Sequence, residues 1–136
     1  MADLTITAAD VRPLPGCIIR RFVAGGAITV GSPVYLSAAG AIAAADGSAV
    51  NTAAAIGVLV SSVSGNASAT ALASGEYGDV VLFGPVAGYT CTYGTYYYID
   101  DDAGVIADAA GTKSTIIGIG LDASTILVRP QVVALS

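Results

Sequence analysis

The sequence predicts an all-β protein: a compact β-sandwich or squat β-barrel of two related strand-turn-strand halves, with an extended N-terminal arm. Three observations carry this expectation. Val, Ile, Thr and Tyr fall in short runs separated by Gly, Ser, Asn, Asp and Pro, the strand-and-turn pattern of sandwiches and barrels. The helix formers Glu, Lys and Gln are almost absent, with Glu76, Lys113 and Gln131 the only ones. The stretch "VGSPVYLSAAGAIAAADG" (30–47) returns in altered form as "YGTYYYIDDDAGVIADAAG" (93–111).

The elements follow in order. Residues 1–15, with Pro13 and Pro15, read as an extended arm with little core of its own. Residues 16–136 read as a single β domain. Strands are expected near 17–23, 27–30, 33–37, 41–45, 55–61, 68–73, 79–84, 86–92, 95–99, 104–107, 115–120 and 125–129. Pro33 and Pro85 belong at strand starts or edges, because proline cannot donate to a ladder. The Ala-rich stretch 38–55 is punctuated by Gly40, Gly47 and Asn51 and reads as loop with one short strand.

The repeat spans about 27–62 and 90–124. "PVYLSAAGAI" aligns with "YYYIDDDAGVI", and "AAIGVLVSS" (54–62) with "TIIGIGLDAS" (115–124). Tyr35 and Tyr98 are 63 residues apart, and Gly57 and Gly118 are 61 apart. A hairpin cannot bury its own apolar face. Two similar units can bury theirs against each other, related by an approximate two-fold axis.

Composition narrows the function. Charged residues make up 11% of the 136-residue chain, against about 25% in an average protein. Asp46 is the only charge between Phe22 and Gly75. Charge keeps a free monomer soluble, so this deficit points to surface covered by other chains, with a homo-oligomer expected; the alternative is a polar Ser/Thr/Gly surface without charge. The net charge of −5 argues against a nucleic-acid binder, which needs a basic footprint. Apolar runs are too short for a transmembrane helix, so no membrane partner is expected. "MADLTITAAD" has neither a basic nor an apolar leader region, and the expectation is a cytoplasmic start.

Catalytic chemistry finds no footing. The chain has no His and no Trp, which removes Ser-His-Asp and Cys-His arrangements. No catalytic residue, cofactor or metal site is expected. Cys17 and Cys91 are too few for a disulfide framework and are expected as reduced thiols. Asp100, Asp101 and Asp102 fall where the repeat places a hairpin turn. They read as a solvated turn, with a weak calcium site as the alternative.

Two segments remain as candidate partner surfaces. In "CIIRRFV" (17–23), alternation puts Ile18, Arg20 and Phe22 on one face and Arg21 on the other, so each face mixes apolar residues with an arginine. Arginine among apolar neighbours is common at interfaces. Tyr96, Tyr97 and Tyr98 form the densest aromatic run, with Tyr96 and Tyr98 on one face and Tyr97 on the other. They suit an interface, or a sugar-stacking platform.

The order "AGGAITVGSPVYL", "AGAIAAADG", "AAIGVLVSS", "GDVVLFGPV", "GTYYYIDDDAGVI" and "IIGIGLDASTILVRP" resembles the capsid cement (decoration) proteins of tailed bacteriophages over about residues 18–130. The shared features are structural, and that family has no catalytic residues to carry over. The resemblance implies a virion protein on the outside of a capsid. There it would bind the major capsid protein and itself, as a dimer or trimer, and hold neighbouring capsomers against internal DNA pressure. The competing expectation is a surface carbohydrate-binding or adhesin module that uses the tyrosines.

Overall fold

A computed structural model of the protein describes residues 3–37, 39–62 and 70–134. It is all-β. The strands are β1 (Thr5–Ile6), β2 (Arg12–Pro13), β3 (Ile18–Val23), β4 (Ile28–Thr29), β5 (Pro33–Leu36), β6 (Ile42–Ala44) and β7 (Ala55–Ser62). They continue as β8 (Ala71–Leu72), β9 (Tyr77–Ala87), β10 (Tyr89–Thr90), β11 (Tyr96–Ile99), β12 (Ile106–Ala107), β13 (Ser114–Gly120) and β14 (Thr125–Ala134). A short 3-10 turn at Ala8–Asp10 is the one helical element described. The main sheet runs β12-β11-β13-β14-β9-β7-β5-β6, and β2 and β3 also pair with β9. The sheet curls into a half-barrel.

The long strand β9 organises the rest. Its first part pairs with β3 and β7, and its last part with β2 and β14. The sequence suggested two strands here, broken near Pro85. The observed chain runs through as one, because Gly84 takes a positive φ of 132° that a side chain rarely adopts. The bend lets Cys17 sit against the backbone at Gly84, and its Sγ donates to the Pro85 carbonyl at 3.0 Å. Positions 68–69 of the strand expected at 68–73 lie outside the described residues.

The two units share one plan of pairing. Tyr35 pairs with Ala43 and Ala55, and Tyr98 with Ala107 and Ile116. Val34 lies opposite Gly57, and Tyr97 opposite Gly118. A register shift falls between Val34 and Tyr35 in one unit and between Tyr97 and Tyr98 in the other. Next to the matched glycines, Val58 pairs with Val81 and Ile119 with Leu127. Val81 on β9 and Leu127 on β14 thus hold matching places, and β9 and β14 pair antiparallel. Antiparallel pairing of matching strands is what a local two-fold between the units requires.

The two units are tied together but not in the same way. Gly47 N–H donates to the Asp100 carbonyl at 2.6 Å, Gly104 N–H to Ala45 at 2.9 Å, and Lys113 N–H to Gly47 at 2.7 Å. The turn of the second hairpin therefore docks on the first unit, where a side chain at Gly104 would meet Ser32 and Ala44. The turn of the first hairpin is open: a side chain at Gly40 would meet nothing within 4 Å.

The N-terminal segment is extended, but it lies along the body and supplies more core than the sequence suggested. Leu4 and Val11 are buried. β1 pairs with β10 and β2 with β9, and Asp3 bridges to Ala107. Glycines make room for this strap. A Cβ at Gly88 would stand 2.5 Å from the Val11 Cα. The core beneath is aliphatic, built around Ile28, Val34, Leu59, Val80, Ile99, Ile106, Ile117 and Ile126. Tyr89 is also buried; its hydroxyl donates to the Gly31 carbonyl at 2.9 Å, and burial pushes its phenol pKa up.

The acidic turn is a clasp as well as a turn. Asp100 is buried, contrary to a fully solvated run, while Asp101 and Asp102 are exposed. Asp101 accepts from the hydroxyl and the N–H of Thr112, both at 2.7 Å, and these bonds hold its carboxyl below the ordinary range. At Asp46, burial pushes the carboxyl up, but hydrogen bonds from Ser48 and Thr52 outweigh it and the net shift is down. A carboxylate with a depressed folded pKa adds stability that is complete above the unfolded value of about 3.9 and is lost as pH falls through the folded value. Melting temperature is therefore expected to drop as pH falls below about 4. Asp101→Asn should flatten part of that drop. An identical acid profile in the variant would remove Asp101 from the linkage.

Candidate partner-binding surface

Strand β3 is an edge strand. Among the described residues β9 is its only strand partner, and its C-terminal neighbour Ala24 forms a single parallel bridge to Ile42. Among the described residues its outer N–H and C=O groups from Ile18 to Phe22 have no ladder, the feature that invites a further strand. The strand is also unusually bare. Ile18 is 59% exposed and Ile19 is exposed, and Ile18 pairs with the exposed Phe83.

The two arginines differ in kind. Arg21 Nε donates to Asp79 Oδ1 at 3.2 Å, so its charge is met within the chain. Arg20 has no ion-pair partner among the described residues, and its guanidinium lies 5.3 Å from the centre of the Phe22 ring. That contact holds the cation over an apolar surface. Beside them runs an open groove of about 420 Å³. It is lined by Arg20 and Phe22 from β3, Leu36 from β5, Ile56 from β7, Leu82 from β9 and Pro130 from β14. Among the described residues no carboxylate lines it.

The structure keeps Ile18, Arg20, Arg21 and Phe22 together as expected by their adjacency, but it separates them from the tyrosines. Strands β13, β14 and β9 stand between β11 and β3. Tyr97 cannot serve as an interface residue. It is 5% exposed, and its hydroxyl accepts the Thr92 N–H at 2.9 Å. Its aromatic ring belongs to the core because Tyr97 matches Val34 of the first unit. Tyr96 is exposed and Tyr98 half-buried. Burial along β11 alternates as the sequence suggests, with Tyr96 and Tyr98 more open than Tyr97 and Ile99.

Several exposed residues carry more of this surface than the sequence singled out. Leu36 and Phe83 extend the β3 patch, and Tyr93 and Leu121 join Tyr96 in a second one. Tyr93 is 75% exposed. Gly94 N–H donates to Gly120 and Gly120 N–H to Thr95, which brings the Tyr93 turn beside Leu121. Sequence alternation cannot tell which of two apolar faces is covered, so nothing in the sequence singles out Leu36 or Leu82.

Cys17 and Cys91 are free and half-buried, and burial pushes both thiols up, away from reactivity. Among the described residues no group of three or more Cys, Asp or Glu side chains is placed to hold a metal ion. No helix of the described residues is long and apolar enough to cross a membrane. No protein-family model matches the chain, and no curated protein matches it in sequence.

Proposed function

We propose that this protein is a non-enzymatic structural component of a virion, which binds the outside of an assembled phage capsid and cements neighbouring capsomers of the major capsid protein. The observation that carries the reading is the bare edge strand β3, with Ile18, Ile19 and Phe83 exposed around an arginine that has no acid partner among the described residues. A compact β body with an adhesive, cation-bearing edge suits attachment to another protein. The resemblance over residues 18–130 points the same way. Many copies on one shell would let modest contacts sum through avidity.

The experiment is co-sedimentation of the purified protein with shells that lack it. Attachment is expected, and Arg20→Glu is expected to weaken it about tenfold or more, since anchors of this kind dominate interfaces. Circular dichroism should show the variant folded. Failure of the unmutated protein to bind any shell from its source would end the cement reading. A second reading rests on the exposed Tyr93 and Tyr96 beside Leu121, a surface able to stack on sugar rings. Glycan-array binding without attachment to shells would favour it.

A further inference from the structure

We propose that β3 recruits its partner by strand addition, and that the added strand carries a carboxylate set against Arg20. The inference rests on the capsid-binding reading for the identity of the partner, and specifies the chemistry of the contact.

Three features meet at this edge. The outer backbone groups of Ile18–Phe22 have no strand partner among the described residues. Main-chain hydrogen bonds give affinity in strand addition, and pockets for alternate side chains give specificity. The groove beside β3 supplies such a pocket, with Phe22, Leu36, Ile56 and Leu82 along it. Arg20 lines the same groove, and among the described residues no carboxylate does.

The charge pattern also selects among occupants. A second copy could offer its own β3, but antiparallel self-pairing would set the adjacent pair Arg20–Arg21 against the same pair. Like charges directly opposite are destabilising. Charged side chains on an edge strand are a common guard against self-pairing. Asp79 answers Arg21, so of the two edge arginines Arg20 is the one without an ion-pair partner among the described residues. An extended segment with apolar side chains at alternate positions and one Asp or Glu fits the edge, the groove and the charge together. The carboxylate would accept from a planar guanidinium already positioned on Phe22, so less freedom is lost on binding.

The test uses the purified full chain and a synthetic strand of about eight residues, alternating threonine and valine with one central glutamate. A control peptide carries lysine at that position. Amide hydrogen exchange of Ile18–Phe22 reports the contact. The glutamate peptide is expected to slow exchange there and to bind about tenfold tighter than the lysine peptide. Arg20→Glu should reverse that preference, and Arg20→Gln should abolish it, with melting temperatures showing both variants folded. A glutamate peptide with N-methylated backbone along one edge should lose the protection.

Equal protection by both peptides would overturn the charge selection. Absence of protection at β3 with the glutamate peptide would overturn strand addition. The two readings fail separately. Attachment to shells without peptide protection leaves the capsid reading standing and removes strand addition. Peptide protection in a protein that binds no shell does the reverse.

Discussion

Gly57→Ala and Gly118→Ala are each expected to destabilise the fold by about 3 kcal/mol or more, near the top of the range for overpacking a close contact. A Cβ at Gly57 would stand 2.0 Å from the Val81 carbonyl oxygen, and one at Gly118 would stand 2.3 Å from that of Leu127. Both obstacles are backbone atoms of a paired strand, so relief requires β7 to move off β9, or β13 off β14. Side-chain rotation cannot supply it. For a chain of this size the melting temperature should fall by on the order of 10 °C. Gly26→Ala is the control: a Cβ there meets nothing within 4 Å, and the change should stay within about 0.5 kcal/mol. Wild-type stability in both variants would mean the strands are not packed this closely. A large loss in only one would break the equivalence of the two units.

The second large effect comes from a matched pair that the units use differently. Leu36 and Ile99 hold the same place, since Leu36 pairs with Ile42 and Ile99 with Ile106. Ile99 is 0% exposed and Leu36 is 44% exposed. Ile99→Ala removes buried methyl and methylene groups and leaves a cavity, which costs about 2–5 kcal/mol. Leu36→Ala should cost less than about 1 kcal/mol, while reducing attachment through the groove that Leu36 lines. Chemical denaturation of the two variants, run beside shell binding, separates the effects. Similar destabilisation by both would show that Leu36 is core in solution and that the groove is closed there.

Most strand positions were legible because their signals are local. Val34, Tyr35 and Leu36 announce a strand, Gly40 its turn, and Ile42 the return. The likeness of Gly57 and Gly118 was legible from their like sequence surroundings, and the structure gives a steric reason for both. Local pattern failed where a distant residue decides. Pro85 reads as a break, but Cys17 packs at Gly84 and the strand bends through it. Asp100 reads as solvated, but the Gly47 N–H from the other unit bonds its carbonyl and it is buried. Of the candidate surface, the arginines and Ile18 were legible from the mixed faces of "CIIRRFV". Tyr97 misled, because a tyrosine run does not say which ring points inward. Leu36 was missed because exposure of one apolar residue depends on what the opposite hairpin covers.

The open turn at Gly40 and the docked turn at Gly104 have a consequence for symmetry. A dimer of identical halves must use both hairpins alike: either both close the body or both face outward. Two halves written in one chain are free of that constraint, since each can change without its twin. Here one hairpin acts as a fastener between the halves and its counterpart is released from that work. The released one carries Leu36 to the groove beside β3, so the two halves present different surfaces to the outside.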